Sequence, residues 1–236
     1  MKRAIHKLMM GRGQGDDVPR HSTIHRRLEN IRAIWNNDLE EDAGLEKLVR
    51  LLLACSQLVF PGTYVRHLLW RRGPMYQDLA VDLFVLVKTS LPVIIMYEGW
   101  QNKMVLFWLA VWFMLETVTY IPTLIFASDA FPTPRSYRRS KMLLFFNYLE
   151  VVFTFGLIYF VGQDLNKPIL HWLDAIYFSL VTTSTIGYGD LFPVTARGKL
   201  LVMAQSLFYL SYIVLFINVF SFGMKRGYFE QGDRRT

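Results

Sequence analysis

Thr185-Ile186-Gly187-Tyr188-Gly189-Asp190 follows directly on Thr182-Thr183-Ser184, at the end of an amphipathic run that begins at Trp172. A long apolar run, residues 200–224, comes next. Two glycines alternate with larger residues, and a threonine leads. Gly187 and Gly189 can take backbone angles that other residues avoid. That suits an extended loop whose carbonyls all point one way. Irregular backbone at membrane depth persists only where it lines a water-filled path or is buried in protein. The membrane itself is read from the flanks. Residues 79–97, 104–127, 142–161 and 200–224 each approach the ~20 apolar residues that cross a bilayer. The expected fold is therefore all-α, with four transmembrane helices per chain and a short helix plus loop re-entering between the third and fourth.

Thr182 to Asp190 closely resembles the potassium-channel signature, with Ile186 where valine is commoner. The resemblance extends over residues 145–224, as outer helix, turret (163–169), pore helix beginning near His171, filter and inner helix. It implies that carbonyls of Thr185, Ile186, Gly187, Tyr188 and Gly189, with the Thr185 hydroxyl, stand in for the water shell of K+. Thr182, Thr183, Ser184 and Asp190 would support the filter, with the Tyr188 ring packed outward against the pore helix. One signature is a quarter of a ring, so the family implies a homotetramer. Val181 stands where some relatives have glutamate, so no carboxyl pair with Asp190 is available from that position. Relatives with Asp at the position of Tyr188 are less selective, and this chain lacks that change. The usual mid-helix glycine of the inner helix is replaced by Tyr209. Ile213 and Ile217 fall on cavity-lining positions where a hydrophobic gate can form, and Asn218 faces the cavity or a neighbouring helix.

The 236 residues are 53% hydrophobic and 15% aromatic, as expected of a membrane protein, and carry a net charge of +7. That charge suggests nucleic acid until it is placed on the chain. Lys and Arg crowd the segment before the first span, the 128–141 connector and the 225–236 tail. The 98–103 connector holds a single lysine. Basic flanks stay cytoplasmic, so both termini are expected inside, in a multi-pass protein of the plasma membrane with its surplus charge on anionic lipid. Four stretches follow: a cytoplasmic region 1–78, two additional spans within 79–127, the pore unit 142–224 and the tail 225–236. Residues 1–22 read as weakly ordered, 24–35 as a helix capped by Ser22 or Thr23, and 36–44 as a linker. Residues 45–60 form an apolar helix too short to span, lying on the membrane or on a partner subunit. Residues 63–72 suit the headgroup layer.

Asp82, Lys88, Glu116 and Glu150 lie within spans, where charge is costly and usually paired or functional. Their depths suggest a Lys88–Glu116–Glu150 cluster that holds the first two spans to the outer pore helix or moves with gating. Pro92 predicts a kink near Lys88. No span carries basic residues at every third position, so steep voltage gating is not expected. No nucleophile, zinc or phosphate-loop motif points to an enzyme. The expected function is passive, potassium-selective conduction with K+ as the permeant ion. The alternatives are a weakly selective cation channel on the same scaffold and a membrane adaptor or regulatory subunit.

Overall fold

The computed structural model describes residues 23–38, 43–126 and 137–223, with side chains to Ile217. The readings for residues 1–22, residues 39–42 of the 36–44 linker, the connector 127–136, the Asn218 side chain and the tail 225–236 lie outside the described residues. Eight α-helices are described: α1 Thr23–Asn36, α2 Gly44–Val59, α3 Pro61–Leu68, α4 Pro74–Tyr97, α5 Met104–Phe126, α6 Tyr137–Gly162, α7 Trp172–Thr183 and α8 Ala196–Gly223. Single 3-10 turns, Trp70–Arg72 and Trp100–Asn102, join α3 to α4 and α4 to α5. The described residues contain no strand, only an isolated bridge between Leu165 and Pro193.

Helices α4, α5, α6 and α8 are long and apolar enough to cross a membrane. Three of them begin four or five residues before the apolar runs do, at Pro74, Tyr137 and Ala196. The first turns of α6 and α8 are polar and escape a hydropathy reading, while α4 starts on a first-turn proline, well suited there because its missing N–H is an orphan anyway. Helix α4 continues unbroken through Pro92, as α5 does through Pro122.

Helix α6 is the hub. Over half of its apolar window is buried, against a third or less for the other three spans. It packs on α4, α5, α7 and α8. Its buried face includes Val151, Val152, Phe155, Leu157 and Tyr159. Gly156 lets the backbone of α7 approach, since a Cβ there would already touch the Ala175 carbonyl and Ile176 backbone at 3.4 Å. At the foot of α4 and α6, Arg139 bridges both acids of one α4 face, Asp78 at 2.9 Å and Asp82 at 2.6 Å. The first of the in-span charges, Asp82, is thereby paired.

Helices α2 and α3, bent 57° from one another, are together also long and apolar enough to cross a membrane. Helix α1 packs on both, α2 packs on α5, and α3 packs on α4.

Candidate functional site

Helix α7 begins at His171, whose Nδ1 accepts from the Leu173 N–H at 3.2 Å, and Asp174 lies in its first turn, where the helix dipole favours an acid. It ends as the Ser184 N–H donates to the Leu180 carbonyl at 2.8 Å. The next amides fold back rather than continue the helix. Thr185 N–H donates to Thr182 O at 3.2 Å, and Ile186 N–H to Val181 O at 3.1 Å. Thr185, Gly187 and Gly189 then take φ of +59°, +57° and +79°, while Ile186 and Tyr188 between them do not enter the left-handed region. Left-handed φ thus alternates with ordinary φ along the loop. Glycine meets that demand at two of the three positions without steric cost. Thr185 meets it as a β-branched residue, a strain of about 1–3 kcal/mol held by its bond to Thr182. The loop is exposed, with Ile186 and Tyr188 more than half open in the single chain.

Behind the loop the ring of Tyr188 stacks on Tyr177 of α7, centroids 6.5 Å apart and planes within 5°. The Tyr177 hydroxyl also engages Asp190. Val181 is buried and offers no polar group there. The outer end is held by the turret. Asn166 Nδ2 donates to Asp190 O at 3.3 Å and Asn166 Oδ1 accepts from Phe192 N–H at 3.0 Å. Asp164 accepts from Thr195 Oγ1 at 2.6 Å and from Arg197 Nε at 2.8 Å. Burial by itself would raise the Asp164 carboxyl, but the Arg197 and Thr195 bonds outweigh it and hold it below its ordinary 3.8. Gly198 fits under this clamp because a Cβ would come within 2.8 Å of Asp164 Cβ.

The inner end of α7 is tied to both flanking helices by Gln205 of α8, which is fully buried. Its Nε2 donates to the Ser179 carbonyl and to Ser179 Oγ, both at 2.9 Å, and makes a short contact with Thr183 Oγ1. Its Oε1 accepts from Tyr159 OH of α6 at 2.8 Å. Ser179 Oγ in turn donates to Val152 O at 2.6 Å. Thr183 is thus buried in a polar network, while Thr182 and Ser184 are half-buried. Sequence reasoning missed Gln205, Ser179, Tyr159, Asp164 and Arg197. The available signal was Gln205 itself, an amide in the middle of an apolar run.

Of the three in-span charges proposed to cluster, two meet. Lys88 Nζ lies 2.9 Å from Glu150 Oε2, and Thr117 Oγ1 is bonded to each of them at 2.6 Å. All three side chains are buried. Glu116 bonds to neither Lys88 nor Glu150, though it stays within electrostatic reach of both. Its Oε1 accepts from the Gly62 N–H at 2.9 Å, at the start of α3. Neighbouring residues on a helix point about 100° apart. The α5 face that turns Thr117 to Lys88 therefore turns Glu116 toward α3.

Helix α8 runs without interruption through the half-buried Tyr209. Leu200, Met203, Leu207, Leu210, Val214 and Ile217 are exposed at alternating spacings of three and four, a heptad stripe. Ile217 is on the stripe. Ile213 is half-buried beside it.

Comparison with known proteins adds a family. The sequence model of a family described as "Ion channel" matches residues 147–223. A hyperpolarization-activated voltage-gated potassium channel of Methanocaldococcus jannaschii is 38% identical over 58 residues, 25% of this chain and 28% of that protein. Potassium channel K1 of Plasmodium berghei is 44% identical over 57 residues, 23% of this chain and 3% of that protein. Human potassium voltage-gated channel subfamily A member 6 is 33% identical over 66 residues, 28% of this chain and 12% of that protein. The chain thus spans less than a third of the length of each of these relatives. No solved structure matches significantly.

Proposed function

We propose that this chain, which belongs to the potassium-channel family through residues 147–223, forms a potassium-selective pore through which K+ moves passively down its gradient. Four copies surround one axis. Carbonyls of Thr185, Ile186, Gly187, Tyr188 and Gly189, and the Thr185 hydroxyl, replace the ion's water, and the C-terminal end of α7 directs partial negative charge toward the axis. The observation that carries this reading is the left-handed backbone at Thr185, Gly187 and Gly189, in a loop that the single chain leaves open; such alternation is what a row of oxygens on one side requires. The heptad stripe of α8 supports a closed ring: six large apolar residues stand uncovered on one face, as a helix does when copies of itself complete its packing. Ile217 lies on that stripe near its end and is the candidate constriction, with Ile213 and Asn218 beside it.

Steep voltage gating is not part of the proposal. Helix α4 carries one basic residue, Lys88, buried against Glu150, and α5 carries none. Lys88, Thr117 and Glu150 tie the first two spans to the outer helix of the pore. The termini face the cytoplasm of a cell whose plasma membrane presents anionic lipid to the basic flanks.

Purified protein in liposomes tests this directly. Thallium flux should appear, and reversal potentials in mixed salts should favour potassium over sodium by at least tenfold. Equal permeability would establish the weakly selective alternative. Absence of flux from well-incorporated protein would favour an adaptor.

A further inference from the structure

Helix α2 is built inside out. It buries Arg50, 2% exposed, and Gln57, while Leu45, at 76%, and Leu48, Leu52 and Val59 stand exposed. Cys55 is exposed with them. A helix resting on a protein in water turns its apolar stripe inward. Here the polar side chains seek the protein, as they do when the surroundings are hydrocarbon.

The contacts of the next residues give a depth. Gln57 Nε2 lies 3.4 Å from Thr123 Oγ1, three residues before the end of α5. Gly62 N–H donates to Glu116, ten residues before that end and twelve after its start. At a 1.5 Å rise, these levels are about 4.5 Å and about 15 Å above the end of α5. The chain therefore deepens from Gln57 to Gly62. Helix α3 then brings it back through the 3-10 turn to Pro74, where α4 begins on the same side.

The break between the helices is also finished as a membrane requires. Irregular backbone in lipid must find its partners within the protein. Thr63 Oγ1 donates to Gln57 O at 2.7 Å, Tyr64 OH to Leu58 O at 2.6 Å, and Gly62 N–H to the Glu116 carboxylate. Phe60 and Thr63 are buried at the junction. The exit carries Arg66, Arg71 and Arg72, suited to headgroup phosphates. Helix α2 packs along α5, whose own exposed side chains, Trp108, Trp112 and Leu115, belong to a membrane span.

We infer that residues 44–72 form a fifth membrane element, a re-entrant wedge that dips into the leaflet where α4 begins and α5 ends and presents Leu45, Leu48, Leu52, Cys55 and Val59 to lipid acyl chains. Cys55 is the only cysteine in the chain, so the native protein carries its own probe position. A nitroxide attached there, in full-length protein reconstituted in phosphatidylcholine–phosphatidylglycerol vesicles, reports which relaxing agent reaches it. Molecular oxygen partitions into hydrocarbon, and a neutral nickel chelate stays in water. Oxygen should relax the label at least threefold more effectively than the chelate. Leu52→Cys in a Cys55→Ser chain should give the same preference. A chelate preference at both positions would overturn the inference in favour of a helix in water. Shielding from both agents at both positions would overturn it in favour of contact with another subunit. Ion flux plays no part in the readout, so failure of the pore proposal leaves this test intact.

Discussion

Replacing Gln205 by leucine should loosen the filter from behind, and the cost can be worked out from the bonds. Four contacts end on this amide. Three of its partners retain another bond: Thr183 Oγ1 still donates to Ser179 O, which keeps both groups engaged, and Ser179 Oγ still donates to Val152 O. Only the Tyr159 hydroxyl is stranded, on a side chain with no exposure. A stranded buried hydroxyl costs about 1–3 kcal/mol, and each of the two bonds that the amide's two N–H groups donate contributes about 1 kcal/mol net, so Gln205→Leu should cost about 3–5 kcal/mol per chain. Tyr159→Phe strands only one amide oxygen and should cost about 1–2 kcal/mol. The double variant leaves neither group without a partner on account of the other, so its cost should fall short of the sum by about 1–2 kcal/mol. The assay is reversible unfolding of the solubilised protein in mixed micelles, read for the four members of the cycle. Single-channel recording should show shorter open periods in Gln205→Leu, because Thr183 is two residues from Thr185. Costs that add within about 0.5 kcal/mol would refute the reasoning, for they would mean that Tyr159 and Gln205 do not act as a unit.

Two further expectations follow from the charged groups. Lys88→Met leaves the fully buried Glu150 without its cation and should cost about 3–5 kcal/mol, seen as lost folded protein in size-exclusion chromatography, whereas Lys88→Met with Glu150→Leu should recover most of the yield. An assembled Lys88→Met channel with altered open probability would assign the pair to gating rather than to packing. Asp164, whose folded pKa lies below its ordinary 3.8, stabilises the outer mouth at all pH above that value, and the contribution disappears as pH falls through the lowered pKa. Thermal stability should thus be level from neutral pH to about 4 and decline below it. Asp164→Asn should be less stable at neutral pH and should lose part of that acid step.

The loop and the spans were legible for different reasons. Residues 185–190 announce themselves because only glycine enters the left-handed region freely, and two glycines one residue apart are a local demand on the backbone. The third such position, Thr185, could not be seen by that rule, since its conformation is imposed by the Thr182 carbonyl and the end of α7. The spans are legible because crossing a bilayer takes a fixed length of apolar chain. Their first turns are not, and three boundaries moved outward accordingly.

What hydropathy cannot supply in such a protein is the direction in which a residue points. In water an apolar stripe marks the inward face of a helix. In lipid every face is apolar, and the interior is marked by whatever is not. Depth groups Glu116 with Lys88 and Glu150, and it stays within electrostatic reach of both, but direction turns its hydrogen bond to Gly62 and leaves Thr117, one residue later, to bond Lys88 and Glu150. The same logic reaches Gln205 on α8 and Arg50 on α2, both buried in helices whose exposed large side chains are apolar. Each polar residue in an apolar run should therefore be taken as a pointer toward protein, and the residues opposite it as facing lipid or a neighbouring subunit. On α8 that rule selects the side opposite Gln205, where Leu200, Leu207 and Val214 stand exposed at a seven-residue repeat. Ile213 directly precedes Val214 and stands off that line, half-buried.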